Sequence, residues 1–231
     1  MSAPRFERPE PSAAEARAAL LTVRDVLRWS VSRMQAAAID FGHGTADAWD
    51  EAAWLLLWSL RLPLDRLEPV LDARLAPGEI GAAIALVERR CTERLPAAYL
   101  TGEAWLRGVR FLSDPRALVP RSPIAELLDT DALSPWLDDG EPVGRVLDLC
   151  TGGGSLAILA ARRFAVAEVL GTDLSADALA LAAENVALHD VGDRVTLRQG
   201  DLWAAAAGER FDLVVCNPPY VNSGSMAALP A

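Results

Sequence analysis

The chain has 231 residues, 52% of them hydrophobic and 23% charged, enough for one large domain or two modest ones. That apolar content excludes a disordered chain. No apolar run reaches the ~18 residues of a membrane span, and from the polar, proline-rich start Met1–Ser12 no signal peptide and a cytoplasmic protein are expected. The formal charge of −10 is concentrated in residues 111–231, where 8 arginines face 17 acidic residues, a net charge of −9 that disfavours nucleic acid as a partner.

The first hundred residues read as helices. Ser12-Ala-Ala-Glu15 is a capping-box pattern, and Leu20, Val23, Leu27, Val31 and Met34 behind it recur at helical spacing. A second helix is expected over Asp47–Leu60, with Trp49, Ala53, Leu56 and Leu60 on one face and Trp54 and Trp58 on another, apolar nearly all round. A third is expected near Glu79–Arg94. Prolines 63, 69, 77 and 96 punctuate these segments.

The character changes at a boundary expected between Leu95 and Thr101, which divides the chain into a helical domain, 1–97, and a second domain, 98–231. The second opens with a short hairpin, Trp105–Val109 with Phe111–Leu112, then the loop Asp114–Ser122, a helix near Ile124–Leu137 and a polar turn, Asp138–Pro142. From Val143 strands and helices alternate: strands Arg145–Leu149, Ala167–Thr172, Val195–Gln199 and Phe211–Cys216, with helices Ser155–Phe164 and Ser175–His189, the latter capped by Ser175. Such alternation predicts an α/β, doubly wound parallel sheet with its ligand at the carboxyl ends of the strands.

The motifs fall at those ends. Asp148-Leu-Cys150-Thr151-Gly152-Gly-Gly154-Ser155 follows the first strand and opens a helix, where glycines admit a ligand close to backbone N–H groups. The spacing, D-x-x-x-G-x-G, differs from the dinucleotide and P-loop fingerprints and is weak on its own. Asp173 ends the second strand about twenty residues on, where a carboxylate can accept both ribose hydroxyls. Asp201 follows the third strand and can accept from an adenine amino group while Leu202 packs the ring. Together these groups point to an adenosine ligand.

Asn217-Pro218-Pro219-Tyr220 follows the fourth strand. The prolines stiffen the loop and leave carbonyls as acceptors, Asn217 adds a side-chain amide, and Tyr220 offers a flat face, a set suited to gripping an –NH2 on a planar group, either a carboxamide or an adenine. The three cysteines, Cys91, Cys150 and Cys216, fit no disulfide or metal pattern and read as buried structural thiols; His43 and His189 lie outside every motif and are expected at the surface.

In order and spacing these motifs resemble the class I S-adenosylmethionine-dependent methyltransferases, and in particular the protein-(glutamine-N(5)) methyltransferases, which carry an N-terminal helical bundle and a hairpin before the sheet. Leu118-Val-Pro-Arg121-Ser-Pro-Ile-Ala-Glu126, preceded by Tyr99-Leu-Thr, is similar to the branch that methylates a glutamine of the third large-subunit ribosomal protein; the release-factor branch usually has Pro-Arg-Pro followed by an acidic residue. The resemblance implies that Asp148, Cys150, Thr151, Gly152, Gly154, Asp173, Leu174, Asp201, Leu202 and Asn217 bind S-adenosyl-L-methionine, with Ser155 as a further candidate. It implies that Asn217, Pro218, Pro219 and Tyr220 hold the substrate amide, that no metal takes part, and that the helical domain recognises a ribosomal-protein substrate without direct nucleic-acid or membrane binding. Arg121 is expected to make a salt bridge or anion contact near the site. A release-factor methyltransferase, an adenine amino-methyltransferase acting on a flipped base and an inactive adenosine-binding fragment are the alternatives. The family's sheet ordinarily has seven strands and four are readable here, so a C-terminally incomplete sheet is expected, with an edge after Phe211–Cys216.

Overall fold

A computed structural model describes residues 11–42, 44–137 and 142–219. The chain divides into one unit up to Thr101 and a second from Gly102. Helices α1 (Ala13–Ala19), α2 (Val23–Ala36), α3 (Ala48–Ser59), α4 (Pro77–Glu93) and α5 (Ala97–Thr101) make the first unit. The long run expected behind Ser12 is two helices rather than one, because Leu20 turns extended and Thr22 and Asp25 form a fresh capping box that starts α2. Asp47 caps α3 by accepting from the N–H groups of Trp49 and Asp50, and Pro77 opens α4. Val26, Met34, Leu55, Leu56, Ile84 and Val87 fill the core.

The buried face of α3 differs from the expected one. Trp49, in the first turn, is 52% exposed, whereas Ala48, Glu51, Ala52 and Leu55 point inward with Leu56. Glu51 is drawn in by Arg90 of α4: the two side chains form a buried ion pair, with Thr45 donating to Glu51 and Arg90 donating to the Asp40 carbonyl. Removing two charges from water is costly, and these extra hydrogen bonds offset it.

The second unit begins with hairpin strands β1 (Glu103–Leu106) and β2 (Val109–Leu112). Their two-residue turn, Arg107-Gly108, has both residues in the left-handed region (φ 51° and 73°), the conformation that matches strand twist, so the turn sits earlier than expected. The expected helix near Ile124–Leu137 is broken into α6 (Ile124–Asp129), a 3-10 turn (Asp131–Leu133) and α7 (Ser134–Leu137). The break falls at Thr130, whose extended backbone and hydroxyl cap the 3-10 turn. The polar turn 138–141 lies outside the described residues.

Four parallel strands follow: β3 (Arg145–Leu149), β4 (Glu168–Asp173), β5 (Val195–Gln199) and β6 (Leu213–Cys216), in the order β5-β4-β3-β6. Helix α8 (Ser155–Arg163) joins β3 to β4, and α9 (Ala176–Leu188) joins β4 to β5. One face of the sheet buries Val146, Val169 and Val215 with Ala157 and Ile158 of α8; Leu147, Leu149 and Leu170 pack with Ala206 in a separate cluster. Asp212 sets the β3–β6 register, because one carboxylate oxygen accepts from the N–H groups of both Gly144 and Arg145 at 2.8 Å. The chain steps outward from β3 to β4 and β5, then returns to the other flank of β3 as β6. That reversal opens a crevice at the carboxyl ends of β3 and β6, where doubly wound sheets bind their ligands.

Candidate active site

The residue that interrupts the apolar run of β3 is Asp148, which is fully buried. Its Oδ2 accepts from the Thr151 hydroxyl at 2.6 Å and from the Ala157 N–H at 2.9 Å, while Oδ1 has no hydrogen-bond partner among the described residues. Burial pushes its pKa up to about 7, against the pull of the Thr151 and Ala157 bonds. Beyond Asp148 the backbone turns sharply: Cys150, Gly152 and Gly154 all have positive φ (57°, 55° and 81°). At Gly154, which precedes α8, a Cβ would lie 3.1 Å from the Ala182 Cβ, so both φ and space require glycine there.

Asp173 closes the turn from the neighbouring strand. Its Oδ2 accepts from the Gly152 N–H and its Oδ1 from the Ser175 N–H, both at 2.9 Å. The Thr151 N–H donates to the Thr172 carbonyl, and the Gly200 N–H to the Asp173 carbonyl, which brings the end of β5 beside Asp173. There Asp201 is exposed, and Leu202, with φ 43°, opens a 3-10 turn to Ala206. Leu174 and Leu202 are 68% and 46% exposed, two bare apolar groups at adjacent strand ends.

At the end of β6 the Asn217 Nδ2 donates to the Arg121 carbonyl at 3.1 Å. A carbonyl only accepts, so this bond fixes which way the Asn217 amide faces. It is thus the Arg121 backbone that meets the β6 end. Pro218 and Pro219 are exposed; Tyr220, like His43, lies outside the described residues.

Two readings of single residues change. Cys150 and Cys216 are free thiols, half-buried rather than buried, on neighbouring strand ends because parallel register sets Leu149 opposite Cys216; burial raises the Cys150 pKa to about 11, leaving a neutral thiol. His189 is half-buried: its ring packs on Phe111, and Nε2 donates to the Arg110 carbonyl at 2.8 Å.

Sequence reasoning missed Asn185, 1% exposed on α9, which bonds Gly153 and Leu112. Its signal was present: a polar residue at the buried spacing set by Ala178, Leu181 and Ala182. No group of metal-ligating side chains occurs among the described residues, and none of their helices is long and apolar enough to cross a membrane.

A parallel sheet reversing beside β3, a glycine turn over a buried Asp and an acidic group ending β4 together define the class I S-adenosylmethionine-dependent methyltransferase fold. A family model, the methyltransferase small domain, matches residues 129–229. The ribosomal protein uL3 glutamine methyltransferase of Bordetella pertussis is 58% identical over 211 residues, covering 91% of this chain and 70% of that protein. Its counterpart in Burkholderia pseudomallei is 56% identical over 217 residues, covering 91% and 70%, and that of Xanthomonas campestris 50% identical over 212 residues, covering 91% and 68%. The chain belongs to the ribosomal protein uL3 glutamine methyltransferase family.

Proposed function

We propose that this protein transfers a methyl group from S-adenosyl-L-methionine to the side-chain amide nitrogen of a glutamine in ribosomal protein uL3, releasing S-adenosyl-L-homocysteine. The observation that carries the reading is the convergence of Asp148, Asp173 and Asn217 on adjacent strand ends at the sheet's reversal, beside the name shared by the relatives.

The residues fit the donor. Asp148 Oδ1, buried and without a protein partner, is matched to a cationic group, directly or through a water. Each Asp173 oxygen takes one backbone N–H, and an ionised carboxylate retains capacity for two ribose hydroxyls. Asp201 would accept from the adenine amino group between the exposed Leu174 and Leu202. When bound, the donor supplies an electrophilic methyl group on a positively charged sulfur.

A glutamine amide nitrogen is a poor nucleophile because its lone pair is shared with the carbonyl. Asn217 Oδ1 and the Pro218 carbonyl would accept from its N–H bonds and aim the nitrogen along the line of attack, and such orientation supplies up to about 7–11 kcal/mol in favourable cases. The same acceptors offset the positive charge growing on nitrogen, and the proton then leaves to water. The Asn217–Arg121 bond supports this assignment, since it holds the Asn217 amide plane before substrate arrives. The helical unit, ending at Thr101, would recognise the protein substrate, and the net −9 of residues 111–231 favours a basic one.

Incubation with methyl-labelled donor tests the reading. Label is expected on uL3 and is lost when the acceptor glutamine is changed to glutamate. Asn217→Ala should cut turnover about a hundred- to a thousandfold while donor affinity stays within about threefold. Label on RNA instead would favour an adenine methyltransferase, and donor binding without transfer an adenosine-binding module.

A further inference from the structure

Both amide atoms of Asn185 are engaged inside the second unit, and on two separate segments. Oδ1 accepts from the Leu112 N–H at 2.7 Å, and Nδ2 donates to the carbonyls of Leu112 (3.2 Å) and Gly153 (2.9 Å). Leu112 is the last residue of β2 and Gly153 the middle of the glycine turn. One buried side chain therefore ties the hairpin to that turn.

The segment leaving Leu112 is anchored again along its length. Arg116 bridges Asp114 and Glu184 of α9. Ala117 is buried against Ala178 and Leu181 of α9, and its Cβ would lie 4.0 Å from a Cβ on Gly152. The segment reaches Asn217 through the Arg121 carbonyl. Residues 113–121 thus start at the Asn185 bonds, pass α9 and the glycine turn, and end at the substrate motif.

We propose that Asn185 is a positioning residue for the methyl-donor site, holding the glycine turn and the 113–121 segment in one register. The proposal rests on the S-adenosylmethionine reading above. Gly153 sits between two residues at positive φ; the Gly154 N–H of the same peptide unit donates to the Thr151 carbonyl, and the Asn185 Nδ2 holds the opposite edge of that unit by bonding the Gly153 carbonyl. Only a side chain with both a donor and an acceptor can serve the N–H and carbonyl of Leu112 and still reach Gly153. Asp has the same shape and lacks the donor, so Asn185→Asp sets an oxygen against two carbonyls.

The test combines calorimetric titration of the full chain with S-adenosyl-L-homocysteine and amide hydrogen exchange. Asn185→Asp is expected to weaken binding about tenfold or more. In the wild type, the ligand should slow exchange of the Leu112 amide about tenfold more than that of the β1 amides, a difference that a purely structural role would not produce. An Asn185→Asp protein that binds as the wild type does, or Leu112 and β1 amides that respond alike, overturns the proposal; if the variant fails to fold, the wild-type exchange decides. No binding by the wild type overturns the methyl-donor reading and this proposal with it, whereas wild-type binding with an unaffected variant overturns this proposal alone.

Discussion

Replacing Asp148 with Asn separates the duties of its two carboxylate oxygens. The Asn carbonyl can keep the bonds that Oδ2 accepts from Thr151 and Ala157, while its NH2 takes the place of the partnerless Oδ1. Burial lifts the Asp148 pKa from 3.8 to about 7. The folded protein therefore keeps a proton that the unfolded chain releases between about pH 4 and 7; this group's cost is absent below pH 4, grows as the pH rises, and is constant above 7. About three pKa units at 1.36 kcal/mol each make that cost at most about 4 kcal/mol. The variant escapes it, but an unpaired buried NH2 costs about 1–3 kcal/mol in return. Asp148→Asn should thus leave stability roughly unchanged at pH 5.5 and raise it by about 1–3 kcal/mol at pH 8.5, read by urea unfolding at both values. Donor affinity should respond the other way. A cationic donor favours the ionised carboxylate, so wild-type binding should tighten as the pH rises through 7, while the variant binds more weakly and without that slope. If wild type and variant lose stability equally between pH 5.5 and 8.5, the buried, partnerless carboxylate is not the source of the pH dependence, and the reasoning fails.

Asp173→Ala removes the acceptor of the Gly152 and Ser175 N–H groups together with the proposed ribose contact. Titration should show donor affinity reduced by about 2–3 kcal/mol, roughly thirty- to a hundred-and-sixtyfold, and a change below threefold would exclude the ribose role. Arg90→Met strands the buried Glu51 carboxylate, and unfolding of the helical unit should become easier by about 3–5 kcal/mol, with part of the loss recovered when Glu51→Gln is added.

The sequence by itself determined what is local. The path from Asp148 to Ser155 is legible because successive residues fix it: an apolar strand, a run of glycines suited to positive φ and close packing, and a helix start. Asp173 at the end of β4 and Ser175 capping α9 follow from neighbours a few positions away, and the alternation of strands and helices settles a parallel sheet because each crossover must cover a face. Breaks inside helices were harder to read. Apolar periodicity continues through Leu20–Thr22 and through Thr130, and it cannot register that a hydroxyl there prefers to cap rather than continue.

Tertiary structure alone decided what meets across long separations. Cys150 and Cys216 come to neighbouring strand ends because β6 returns to the flank of β3, a fact of strand order that no spacing between them records. His189 is half-buried because the hairpin lies over the end of α9, and Trp49 stays exposed because the Glu51–Arg90 pair turns α3. In the sequence Asn185 is one polar residue in an apolar stripe; only the fold carries Leu112 and Gly153 to its two amide atoms. Hydrophobic pattern fixes which side of an element is buried, but a hydrogen bond needs two particular groups within about 3 Å, and that distance is set by the packing of the whole domain.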